Sequence, residues 1–130
     1  MKKLRYTILI IEDQEETRSK IANYFNINGY KVLSVKNTTD AVKLLKTKRP
    51  DLVITEISFP YMDGFQFLEY LRKTSNTALI PIIFISTKID SSVLKKILAY
   101  NVNNFLKIPF KISELNKLVK ELLKENKSIK

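Results

Sequence analysis

Three carboxylates and two hydroxyls stand where apolar runs of this sequence stop. Glu12 and Asp13 follow Thr7–Ile11, Glu56 follows Leu52–Thr55, and Ser86 and Thr87 follow Ile82–Ile85. Two unit charges about 4 Å apart repel by roughly 4 kcal/mol at an effective dielectric near 20. Acids gathered in one place therefore need a hard cation such as Mg²⁺, a lysine, or a raised pKa to offset that repulsion. Taken singly, Asp13 reads as a helix cap and Glu56 as a solvent-facing side chain. Three acids at the ends of adjacent strands instead suggest an acidic pocket of Glu12, Asp13 and Glu56.

That reading depends on strands that end side by side. Apolar runs alternate with helical patterns along the 130 residues. The spacing predicts strands at Thr7–Ile11, Lys31–Val35, Leu52–Thr55, Ile82–Ile85 and Asn104–Leu106. Between and after them it predicts helices at Glu15–Asn28, Thr39–Thr47, from Asp63, from Asp90 or Ser91 to Tyr100, and from a Ser113 cap onward. Gly29 suits the left-handed stop after the first helix, and Asn101 the same stop after the fourth. Pro50 closes the second helix, because the residue before a proline is disfavoured in helical backbone.

Strands that are apolar on both faces need helices on both sides. The expected fold is therefore α/β, a doubly wound parallel sheet. In such sheets ligands sit beyond the carboxyl ends of the strands, where Glu12, Asp13, Glu56, Ser86 and Thr87 all fall. The last strand delivers Lys107, Ile108 and Pro109 to the same end.

Composition narrows the chemistry. There is no cysteine and no histidine, which excludes disulfides, thiolate metal sites and imidazole acid–base catalysis. No apolar run approaches the roughly 18 residues of a membrane span. The opening "MKKLRYTILIIED" is basic then apolar, but its apolar run stops at Ile11 before two acids, so it reads as a core strand. A cytoplasmic location is the simplest expectation. The formal net charge is +10. Residues 86–130 carry ten lysines against four acids, and residues 1–85 carry thirteen Lys and Arg against nine acids. Such an excess is either a docking face for an acidic partner, nucleic acid or lipid, or a lysine-rich solvated surface. No dense basic run with interleaved aromatics is present, so nucleic-acid binding is not expected.

Four motifs in order resemble the receiver domains of bacterial two-component response regulators. "ILIIED" is similar to the family's first strand with its acid pair. "RPDLVITEISFPYMDGFQFLEYLR" is similar to its phosphorylation-site strand, loop and third helix. "IPIIFISTK" is similar to its fourth strand with a hydroxyl, here Ser86, and "NNFLKIPF" to its fifth strand and the following proline. The resemblance spans nearly the whole chain, taken as a receiver domain over 1–125 with a polar tail over 126–130. It implies a flavodoxin-like five-stranded parallel sheet in the order 2-1-3-4-5. It also implies a switch pair at Ser86 and Phe105, a cis peptide before Pro109, and a Mg²⁺ site from Asp13, Glu56 and the Ser58 carbonyl.

Two positions depart from the family pattern. Glu56 stands where the family has the aspartate that takes a phosphoryl group from a histidine kinase, and Ile108 stands where it has a lysine. The extra methylene displaces the carboxylate by about 1.5 Å, and a positional error of about 1 Å can cost on the order of 100-fold in rate. Losing the lysine removes the cation that would meet transferred charge. Lys107 is one residue off, on the opposite face of an extended strand. Lys88, in the loop after the fourth strand, is the other conceivable substitute.

The expectation is an atypical receiver domain that is not an enzyme and does not accept phosphate. Mg²⁺ would be weakly bound or absent. It would act by contact with a protein, a histidine kinase or an output protein, through the fourth helix, fifth strand and fifth helix. Alternatives are a conventional phosphate-accepting regulator using Mg²⁺, or a receiver domain cut from a longer regulator. A carboxylate-metal phosphatase ranks lower, for want of a nucleophilic aspartate and a glycine-rich loop.

Overall fold

Ile8, Leu9, Ile10 and Ile11 are all fully buried, and the strand they form is the hub of the sheet. In the computed structural model, which describes residues 5–128, β1 (Thr7–Ile11) pairs in parallel with β2 (Lys31–Val35) on one side and β3 (Leu52–Glu56) on the other. β3 pairs with β4 (Ile82–Ser86), and β4 with β5 (Phe105–Lys107), giving the order β2-β1-β3-β4-β5. Every residue of β3 and β4 is buried, whereas the edge strands β2 and β5 carry exposed Lys31, Ser34 and Lys107. This is the burial pattern of a parallel sheet covered on both faces.

Alternate residues of each strand enter two separate apolar layers. Leu9, Ile11, Val53 and Phe84 pack with α2 (Thr38–Leu44), α3 (Gly64–Lys73) and α4 (Ser91–Ala99), through Ala41, Phe65, Leu68, Leu71 and Ile97. Ile8, Ile10, Leu52, Ile54, Ile83 and Ile85 pack with α1 (Glu15–Ile27) and α5 (Ile112–Ser128), through Ile21, Phe25, Leu115, Val119 and Leu123. The period-2 alternation of a strand thus meets helical stripes on both sides.

Helix ends follow local chemistry. Asp63 caps α3 by accepting from the Gln66 N–H, while the Gln66 side chain accepts from the Asp63 N–H, a reciprocal capping box. Asp90, not Ser91, caps α4 by accepting from the Val93 N–H. Gly29 and Asn101 take positive φ, 92° and 61°. Several boundaries differ from expectation. α2 starts at Thr38 because Asn37 accepts from the Asp40 N–H, and it loosens into turns after Leu44. Ser113 does not cap α5: the helix opens at Ile112, and Glu114 reaches back to accept from the Lys111 N–H. β5 lies one residue later than predicted, bringing Lys107 into the ladder opposite Ser86. α5 continues to Ser128, into the stretch read as a polar tail. The rest of that expected tail lies outside the described residues.

Candidate functional site

β1 and β3 are adjacent, so their ends carry Glu12 and Glu56 side by side, as the sheet order requires. Both are withdrawn from solvent, Glu12 1% and Glu56 8% exposed, whereas Asp13 is exposed. Glu56 turns back on its own loop. Its Oε2 accepts from the Ile57 N–H at 2.6 Å and the Ser58 N–H at 3.2 Å. Two amides on one carboxylate oxygen make a small anion hole built from consecutive backbone donors.

Glu12 is less well provided for. Its Oε2 accepts from the Gln14 N–H at 2.9 Å, but its buried Oε1 has no hydrogen-bond partner among the described residues. Burial is the main reason its carboxyl is pushed up to about 7, with the nearby Asp13 and Glu56 carboxylates adding to the effect against the Gln14 amide. Glu12 therefore lies within reach of the Asp13 and Glu56 charges, and the repulsion is relieved by holding Glu12 toward the neutral form.

The loop after Glu56 is pinned at several points. The Gly64 N–H donates to the Ile57 carbonyl at 2.7 Å. A Cβ on Gly64 would lie 3.0 Å from both the Glu56 carbonyl oxygen and Ile57 Cα, so glycine is needed for this approach. The Met62 N–H reaches the Pro60 carbonyl at 2.8 Å around Tyr61, whose φ is 70°. That is a γ-turn of the rarer, positive-φ kind. Buried Thr38 fixes the turn from α2 by donating its hydroxyl to the Met62 carbonyl at 2.5 Å.

The remaining predicted residues are dispersed around this centre. Ser86 is buried at the end of β4, and its Oγ meets the Lys88 backbone, accepting from the N–H at 3.2 Å. Phe105 packs into the α2–α3–α4 layer. Ile108 packs into the α1–α5 layer, and the Ile108–Pro109 peptide is cis. Lys107 is exposed, and the charge of Lys88 is felt by Asp90. Sequence reasoning missed Thr38 and Arg18. Arg18 donates from Nη1 to the Glu12 carbonyl at 2.9 Å, so this cation serves the end of β1 by its backbone. Its position one turn into α1 was the available signal.

The donor set fits a divalent cation poorly. Glu56 Oε2, the expected carboxylate ligand, is already engaged by the Ile57 and Ser58 amides. Among the described residues, no group of three or more acidic side chains could hold a metal ion.

Residues 8–120 match the model of the response regulator receiver domain. The chain belongs to this family. Receiver domains are the signal-receiving modules of two-component systems, and related proteins span the family's range. The chain is 30% identical over 120 residues to response regulator Rre1 of Synechocystis, covering 90% of this chain and 51% of that protein. It is 35% identical over 81 residues to protein PilH of Pseudomonas aeruginosa, covering 62% of this chain and 67% of that protein. Against many of its curated relatives this receiver domain spans about half the length.

Among solved structures, the signal receiver domain of a histidine kinase from Syntrophus aciditrophicus superposes with a TM-score of 0.87 at 29% identity, covering 96% of this chain and 95% of that one. The receiver domain of sensor histidine kinase PA1611 from Pseudomonas aeruginosa has the same fold, with a TM-score of 0.81 at 24% identity, covering 91% of this chain and 97% of that one. That structure has a magnesium ion coordinated in its active site cleft. No helix among the described residues of this receiver domain is long and apolar enough to cross a membrane.

Proposed function

We propose that this receiver domain signals without accepting phosphate and acts by protein contact. The observation that carries the reading is the hold of Glu56 Oε2 on the Ile57 and Ser58 amides. An anion already occupies the backbone donors nearest the acceptor position, so an incoming phosphoryl group would have to displace a carboxylate. Ile108 supports the same reading. It packs among apolar residues of the α1–α5 layer and brings no cation to the pocket. Mg²⁺ is correspondingly weakly bound or absent, and the domain has no enzymatic turnover of its own.

The contact surface in this reading is α4, β5 and α5. Leu94 and Leu98, one turn apart on α4, are 36% and 55% exposed, an apolar pair flanked by Lys95 and Lys96. The partner is a cytoplasmic histidine kinase or output protein, and nucleic acid is not part of the role. Exposure of purified protein to acetyl phosphate with Mg²⁺ tests the reading. No adduct should form by intact-mass spectrometry, and a phosphoryl adduct on Glu56 would overturn it. For the surface, partner capture should survive Glu56→Asp and fail in Leu94→Glu with Leu98→Glu.

A further inference from the structure

The acidic mouth lies at one end of the sheet, and the turns α2–β3 and α3–β4 lie at the other. Residues 41–50 contain Lys43, Lys46, Lys48 and Arg49 with no acid, and residues 70–89 contain no acid either. The fold brings these two segments together. A hollow of about 180 Å³ between them has Leu45, Lys46, Lys48, Arg49, Asn76 and Thr77 in its lining. Lys46, Thr47, Lys48 and Arg49 are all exposed at its wall.

Cations near a helix C-terminus are favourable in themselves, and that accounts for Lys43 in the last turn of α2. It does not account for Arg49, which follows the closing turn that the Lys48 N–H makes with the Leu44 carbonyl at 3.0 Å. Arg49 is also oriented. Among the described residues it hydrogen-bonds through Nε, donated to the Asn76 carbonyl at 2.8 Å, and both Nη groups stay outside that bond as a fork. A planar fork of that kind matches two oxygens of a phosphate. The neighbouring acid Asp51 turns Oδ2 to the Thr7 N–H at 2.8 Å, toward the start of β1.

We infer that this hollow is a binding site for a phosphate-bearing anion. Arg49 would take two phosphoryl oxygens, and Lys46 and Lys48 would supply the remaining charge. The inference is independent of the phosphorylation status of Glu56, because the two sites lie at opposite ends of the strands.

The experiment titrates ¹⁵N-labelled full chain with inorganic phosphate and with tripolyphosphate. Amide shifts should concentrate at Thr47, Lys48, Arg49, Asn76 and Thr77, with tripolyphosphate the tighter ligand and affinity falling as salt rises. Lys46→Glu with Lys48→Glu should weaken binding by on the order of ten-fold or more. Lys117→Glu with Lys120→Glu on α5 makes the same change in net charge and should leave it unaltered, circular dichroism confirming both folds. Equal weakening in the two variants, or shifts spread over lysines throughout the chain, would overturn the site. Co-sedimentation with phosphatidylcholine vesicles, with and without phosphatidylserine, identifies the source. Retention on the anionic vesicles that is lost in Lys46→Glu with Lys48→Glu assigns the phosphate to a lipid headgroup. Binding of tripolyphosphate alone assigns it to a soluble ligand.

Discussion

The Gly64 amide donates to the Ile57 carbonyl at 2.7 Å, which draws the first turn of α3 onto the exit of β3. The approach leaves no room for a side chain. A Cβ on Gly64 would meet the Glu56 carbonyl oxygen and Ile57 Cα at 3.0 Å and the Phe84 ring at 3.3 Å. Two of these neighbours are backbone and cannot rotate away. Gly64→Ala should cost about 1–3 kcal/mol in urea unfolding and displace the amide resonances of Ile57 and Ser58. A variant as stable as the parent would show that the loop yields freely.

Glu12 should leave a signature in the pH dependence of stability. Its folded pKa, near 7, lies above its ordinary 4.5, so the folded state keeps a proton that the unfolded state has released. Stability therefore falls as pH rises from about 4.5 to 7, and the loss is complete above 7. It amounts to at most about 3 kcal/mol. Glu12→Gln should flatten this slope and gain stability over the parent at pH 8, as judged by denaturant midpoints at pH 5 and pH 8. An unchanged slope in the variant would remove Glu12 from the account.

Glu56 contributes to that raised pKa after burial and alongside Asp13. Glu56→Gln keeps a carbonyl oxygen for the Ile57 and Ser58 amides and removes the charge. The Glu12 carboxyl should then titrate below 7 by ¹³C NMR, with the fold intact. No movement would mean that Glu56 has no part in the raised pKa.

Thr38 holds the turn around Tyr61 through a single hydroxyl. Thr38→Val preserves the shape and deletes the hydrogen bond to the Met62 carbonyl. A loss of about 1 kcal/mol is expected, together with faster hydrogen exchange at the Met62 amide, which closes the turn. Unaltered exchange would place the restraint elsewhere.

Two substitutions should separate this pocket from a phosphate acceptor. Glu56→Asp alone restores reach but leaves Ile108 where a cation must meet incoming charge. Electrostatic contacts of that kind are worth roughly 3–4 kcal/mol in a transition state. The single variant should label poorly with acetyl phosphate and Mg²⁺, and Glu56→Asp with Ile108→Lys far better. Calorimetry of the parent should give only weak Mg²⁺ binding. An inert double variant that folds and binds Mg²⁺ would show that the pocket differs at further positions.

Most of the fold was legible because its signals are local and repeated. Four consecutive isoleucine and leucine residues in β1 can be buried only between two helical layers, and the caps at Asp63 and Asp90 are side-chain chemistry visible in the sequence. The misplaced starts of α2 and α5 have the opposite cause. The ends were decided by Asn37 and by Glu114 reaching back, and competing candidates stood one or two residues away. At the sheet mouth, the side-by-side placing of Glu12 and Glu56 followed from strand order. The inward fold of Glu56 did not, because its torsions respond to amides of a loop whose path is fixed by Gly64 and Thr38, from two other elements.

The central position of β1 also has a consequence for how the chain reaches this state. Its two neighbours arrive after intervening segments, Ile8 facing Val32 on one side and Leu52 on the other, and no rung of the sheet is closed by a hairpin. Each ladder must meet the entropy of closing a long loop before its contacts repay it. The search for the native arrangement is therefore governed by when distant segments find β1. Conservative truncations such as Leu9→Ala or Ile10→Val should slow refolding more than they speed unfolding, making this strand the kinetic nucleus of the molecule as well as its geometric centre.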